Sequence, residues 1–107
     1  MGGMKTMHDL HAGLNTLGEN DLILDVRSPE EFAEGHIAGA RNIPHNEVVA
    51  HVEELKKYER VIIHCMRGGR AGMAFQALQQ TGLKNLVCIG SSGMGDWLAA
   101  GFPVTRN

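Results

Sequence analysis

Val61-Ile62-Ile63-His64-Cys65-Met66-Arg67-Gly68-Gly69-Arg70 is the stretch that decides the fold. Its first four residues form a short, mainly apolar run that suits a strand covered on both faces of a parallel sheet. The run passes directly into a glycine-containing loop, and the helical pattern of Ala71, Ala74, Phe75 and Leu78 begins at once. Strand end, glycine loop and helix start therefore coincide at one cysteine. A thiol in the last turn before a helix faces unpaired backbone N–H groups and the positive end of the helix dipole, and both stabilise a negatively charged sulfur. Arg67 and Arg70 add two guanidinium groups within the same turn. Gly68 and Gly69 let the backbone curl so that successive N–H groups point inward as an anion-binding nest. Inert packing of a small thiol calls for none of these features, which favours a reactive Cys65 over a buried filler.

The elements on either side repeat the alternation. Thr6-x-x-Asp9 resembles a helix cap, and Leu10, Leu14 and Leu17 follow at helical spacing, which predicts a short helix over roughly residues 7–17. Leu22-Ile23-Leu24-Asp25-Val26 reads as a buried strand with one acid near its carboxyl end. Ser28-Pro29-Glu30-Glu31 combines a cap, a first-turn proline and a glutamate three residues after the cap, the clearest helix start in the chain. After a short Asn42-Ile43-Pro44 segment, Val48, Val49, Val52 and Leu55 mark the packing face of an amphipathic helix. Leu86-Val87-Cys88-Ile89 supplies a further strand, and a small-residue loop from Ser91 to Gly95 precedes a last short helix at Trp97 and Leu98. Strands alternating with helices imply right-handed crossovers and a mostly parallel sheet with helices on both faces. In such sheets sites form beyond the carboxyl ends of the strands, which places Asp25, the Cys65 loop and the Ser91 loop on one rim.

Length and composition bound the rest. With 107 residues and 43% hydrophobic content, residues 1–107 are expected to form one domain with its own core. Met4 would serve as well as Met1 for a natural start, so residues 1–3 are read as an expression remnant or as disordered. A net charge of -2 with both signs interspersed gives no reason to expect a nucleic-acid or anionic-membrane partner, which leaves small molecules or another protein. No apolar run reaches the length of a membrane span or a signal sequence, and a cytoplasmic location is expected. Cys65 and Cys88 are read as thiols in a reducing compartment, with Cys88 buried in its strand.

Leu24-Asp25-Val26-Arg27, then Glu31-Phe32-x-x-Gly35-His36-Ile37-x-Gly39-Ala40-x-Asn42-Ile43-Pro44, then Cys65-x-x-Gly68-x-Arg70 resemble, in order, the hallmarks of the rhodanese-like domain family, single-domain thiosulfate sulfurtransferase type. The resemblance spans essentially the whole chain and implies an α/β fold with about five parallel strands, one of them a short strand before Thr6. It implies covalent catalysis in two steps: Cys65 attacks the outer sulfur of thiosulfate or a persulfide donor, and the resulting persulfide is discharged to cyanide or a thiol acceptor. Carried over by position, Cys65 is the nucleophile, and the N–H groups of Met66, Arg67, Gly68, Gly69, Arg70 and Ala71 cradle the substrate sulfur. Arg67 and Arg70 hold the sulfonate end of the donor. No cofactor and no metal are implied, and a thioredoxin-like or sulfur-carrier protein is a candidate partner. The chain departs from the family pattern in the Ser92-Gly93-Met94-Gly95-Asp96-Trp97 segment and at Met66, where arginine is frequent.

Asp25 and Arg27 are read as a loop-tying ion pair, because an ionised thiolate needs no general base. His64 precedes Cys65 on a strand and so points to the opposite face. His8 and His11 could share a metal, yet no further ligand has recognisable spacing. Met66, Met73 and Met94 could ring the site as gap-fillers, and Trp97 reads as a core anchor. Cysteine-dependent phosphatases and arsenate reductases also close an oxyanion loop with arginine, but they place one residue more between Cys and Arg. Here four intervene and Ala71 stands where that arginine would be. A non-catalytic binding module of the same fold is the remaining alternative.

Overall fold

The computed structural model describes residues 4–106. Residues 1–3, read above as an expression remnant or as disordered, lie outside them. Helix α1 (Met7–Gly13) starts at a complete capping box: the Thr6 hydroxyl accepts from Asp9 N–H, and the Asp9 carboxylate accepts from Thr6 N–H. A 3-10 turn over Leu14–Thr16 extends it to the predicted limit. Strand β1 (Asp21–Asp25) follows, then helix α2 (Pro29–Glu34), whose Ser28–Glu31 capping box is the one the sequence announces. Next come strand β2 (Arg41–Asn42), a 3-10 turn (Val48–His51) running into helix α3 (Val52–Leu55), and strand β3 (Arg60–His64). Helix α4 (Gly69–Gln80), strand β4 (Leu86–Cys88) and helix α5 (Met94–Ala99) complete the order.

The strands pair in parallel in the order β2-β1-β3-β4. Among the described residues the sheet has four strands, one fewer than the resemblance implied, because Met4 and Lys5 enter no strand before Thr6. The chain lays β2 on one side of β1 and then returns to lay β3 on the other, so strand order reverses between β1 and β3. Ligands in open α/β sheets sit at such a reversal, outside the carboxyl ends. Register sets Asp25 beside His64 there, and Cys65 follows one residue later.

Alternation along β1 and β3 divides the core. Leu22, Leu24, Val61, Ile63 and Cys65 face one side, where Val48 of the 3-10 turn, Leu55 of α3 and Ala71, Ala74 and Leu78 of α4 cover them. Ile23 and Ile62 face the other, under Met7 and Leu10 of α1 and Met94 and Trp97 of α5. Both faces are therefore covered, as the unbroken apolar runs require. Trp97 anchors the second face, its indole N–H donating to the Pro103 carbonyl at 2.8 Å. His8 and His11 pack on this side as well, His11 stacked on the Phe102 ring at 3.7 Å between centroids.

Candidate active site

Cys65 stands at the floor of the loop between β3 and α4, only 1% exposed. Its Sγ accepts two backbone hydrogen bonds, from Gly68 N–H at 3.0 Å and from Ala71 N–H at 3.3 Å. These are donors that a helix start leaves without intrahelical partners, here turned onto one sulfur. The curl depends on Gly68, whose φ of +115° is the left-handed conformation that side chains resist. Gly68 is also pressed against β4's exit: a Cβ there would collide with the Gly90 carbonyl.

The segment Ser91 to Gly95 forms the loop's other wall. Met94 N–H donates to the Cys65 carbonyl at 2.8 Å, and Gly95 N–H to the Met66 carbonyl at 3.1 Å. Gly93 lies so close beneath that a Cβ would overlap the carbonyls of Met66 and Cys65. Ser92, part of the departure noted in the sequence, has a structural purpose. Its hydroxyl accepts from Met7 N–H at 3.2 Å and donates to the Asp96 carboxylate at 2.7 Å, tying α1 to this wall.

Above the sulfur opens a pocket of about 510 Å³ lined by Met66, Arg67, Gly69, Arg70 and Met73. Met66 and Met73 flank it as the sequence suggested, whereas Met94 is buried in the core and lines nothing here. The two arginines differ. Arg67 is exposed and makes no ion pair among the described residues, while Arg70 forms a bidentate pair with Glu31 at 2.6 and 3.0 Å. The Arg70 fork, aided by Ser28 N–H, overcomes partial burial and holds the Glu31 carboxyl down to about 2. Sequence reasoning missed this contact, since it saw Glu31 only as the capping residue of α2. One carboxylate caps that helix and fixes the loop arginine together.

Asp25 and Arg27 lie behind the loop, 0% and 2% exposed, joined at 2.7 Å, and Arg27 donates onward to the Gly35 carbonyl at 2.8 Å. Burial alone would raise the Asp25 carboxyl, but the His64 ring at 3.5 Å and the Arg27 fork outweigh it and hold it far below the usual carboxylate range. The pair ties β1's exit to the end of α2, as read from the sequence. His64 packs with it on the face away from Cys65, so no Cys–His pair forms among the described residues. Cys88 is a free, half-buried thiol, pushed up by burial and, to a smaller degree, by the neighbouring Cys65 sulfur.

A four-stranded parallel sheet that presents a cysteine in a backbone cradle at its carboxyl rim defines a class of α/β domains built around one loop thiol. Residues 6–100 match the Rhodanese-like domain family, and the chain belongs to it. A rhodanese-related protein from Thermoplasma volcanium superimposes with a TM-score of 0.79 at 30% identity, over 95% of this chain and 96% of its own. A protein named sulfurtransferase from Allochromatium vinosum is 30% identical over 80% of this chain and 79% of its own length. A putative sulfur carrier protein of Bacillus subtilis, YrkF, is 37% identical over 70% of this chain but only 40% of its own length. An uncharacterized protein of the same organism, YqhL, is 40% identical over 56% of this chain, and the chain spans less than half the length of either Bacillus relative. Among the described residues no helix is long and apolar enough to cross a membrane.

Proposed function

We propose that the protein is a sulfurtransferase that carries a sulfane sulfur on Cys65 as a persulfide, taking it from thiosulfate or a persulfide donor and passing it to cyanide or a thiol. The observation that carries this reading is the convergence of the Gly68 and Ala71 N–H groups on one buried sulfur. In the loading step the Cys65 thiolate attacks the outer sulfur of thiosulfate, a new S–S bond forms, and sulfite leaves with the electrons of the broken bond. The loop from Met66 to Ala71 then holds the outer sulfur with the same kind of donors that held the thiolate. Arg67, unpaired, meets the donor's negative charge directly. Arg70 adds its charge from within the Glu31 pair, so the pocket suits one anionic group on an otherwise apolar wall of Met66 and Met73. The sulfurtransferase name of the Allochromatium relative and the carrier name of the Bacillus one support sulfur transfer, and a sulfur-carrier protein remains a reasonable relay partner.

Intact-mass measurement after thiosulfate treatment tests the reading. Wild type is expected to gain one sulfur that cyanide removes as thiocyanate, and Cys65→Ser to gain none. A wild type that takes up no sulfur from thiosulfate or from inorganic polysulfide would leave a binding module of the same fold.

A further inference from the structure

Beside the Cys65 pocket lies a second, smaller cavity of about 220 Å³. Its walls include Glu34 at the end of α2, Leu98 on α5, Arg106 and the same Met66 side chain that lines the sulfur pocket. Glu31 lines it too, and the Arg70 bound to Glu31 lines the sulfur pocket. The two spaces are thus neighbours, divided by the Met66 thioether and the Glu31–Arg70 pair. Methionine is unbranched and flexible, and a partition made of it can yield.

The charges of this cavity are arranged unusually. Arg106 Nε donates to the Glu34 carbonyl at 2.7 Å, so the two residues are neighbours, yet the guanidinium and the Glu34 carboxylate make no ion pair. Arg106 and Glu34 thus line a small space together with the apolar Met66 and Leu98, while the other charged residues of its wall, Arg27 and Glu31, are already paired with Asp25 and Arg70. The complement is a molecule bearing both charges on a short apolar body. The volume falls below the roughly 300–1,000 Å³ of pockets for drug-sized ligands, which limits the occupant to amino-acid size.

We infer that this cavity is the acceptor subsite, and that it binds a zwitterionic thiol of amino-acid size, its carboxylate on Arg106, its ammonium on Glu34 and its thiol directed past Met66 to Cys65. The inference rests on the persulfide reading above and adds to it a place and a chemical class for the acceptor. The acceptor thiolate attacks the outer sulfur of the Cys65 persulfide. A new S–S bond forms on the acceptor, which leaves as its own persulfide with the proton, and the Cys65 S–S bond breaks to return the thiolate to the Gly68 and Ala71 N–H groups. No external oxidant or reductant enters the step.

The test is single-turnover discharge of protein pre-loaded with thiosulfate or with inorganic polysulfide, followed by intact mass. Four thiols are compared: cysteine, cysteamine without the carboxylate, mercaptopropionate without the ammonium, and mercaptoethanol with neither. Loss of one charge-assisted contact is expected to cost about tenfold in discharge rate. Arg106→Gln should therefore slow cysteine and mercaptopropionate but not cysteamine. Glu34→Gln should slow cysteine and cysteamine but not mercaptopropionate, and mercaptoethanol should follow neither variant. Equal responses across the four thiols, or none, would overturn the subsite while leaving the persulfide intact. Failure of both donors to load wild type would be a failure of the sulfurtransferase reading, visible before any acceptor is added.

Discussion

The two ends of the sheet each carry a cavity, and the larger is not the one proposed to hold the chemistry. At the amino ends of the strands a space of about 620 Å³ lies among Val52, Glu53, Lys56, Lys84 and Asn85. Polar groups there are spent on structure: the Asn85 amide donates to the Leu55 and Tyr58 carbonyls at 3.0 and 2.9 Å, and Arg60 pairs with Asp21 at 2.7 Å to lace β3 to β1. At the carboxyl ends the space is smaller, but two backbone donors converge on one sulfur and a free guanidinium stands at its mouth. What distinguishes the candidate site is not its volume. It is the pair of backbone donors aimed at one sulfur.

Substitutions at the two ends can break or sharpen that contrast. The largest effect is expected at Arg27, where Arg27→Met strips the buried Asp25 carboxylate of its guanidinium, leaving only the His64 ring and the backbone N–H at position 27, and should cost about 3–5 kcal/mol in urea unfolding. A loss below about 1 kcal/mol would mean that the carboxyl rim is not organised by its buried pair. Gly68→Ala comes next. Forcing a Cβ toward the Gly90 carbonyl at positive φ should cost about 3 kcal/mol and slow persulfide loading by about 100-fold, read by chemical denaturation and by mass. Unchanged loading in a folded variant would detach the reaction from the cradle.

Glu31→Gln preserves the acceptor that caps α2 and removes only the charge facing Arg70. The Glu31 carboxyl is depressed from 4.5 to about 2, so its contribution is fully present above pH 4.5 and lost as pH falls toward 2. The variant should be about 1 kcal/mol less stable at neutral pH, a modest figure because the pair is partly exposed, and the gap should close as acid is added. A gap constant with pH would assign the effect to packing instead. The smallest effect belongs to the other end: Asp21→Asn weakens the pair with the exposed Arg60 and should cost under about 1 kcal/mol while loading proceeds unaltered. Impaired loading there would erase the distinction between the ends.

Much of this architecture was legible in advance, for reasons that differ by element. The capping boxes at Thr6 and Ser28 are local, each closed within four residues, and both stand as read. The strand–loop–helix around Cys65 was legible because one short segment contains the strand, the glycines and the helix start. Glu31 as the partner of Arg70 was not legible, since 39 positions separate them and only the β1–β3 adjacency brings them together. The same holds for Gly93 beneath Met66, whose requirement is an absence of atoms set by a distant backbone. The extra strand, not found among the described residues, came from the resemblance and not from a pattern in Met4-Lys5. Arg67 and Arg70 looked equivalent by spacing, and tertiary pairing made them unlike.

The contact of Gly68 with Gly90 and of Gly93 with Met66 has a bearing on how such a domain can vary over generations. The floor is cast between two stretches of main chain with no room for a methyl group, while Arg67 and Met73 project from it into open space. A mutational map would show two intolerant seams crossing a permissive rim. New specificities can accumulate on that rim one side chain at a time, and the mould that shapes the sulfur's seat need not be recut.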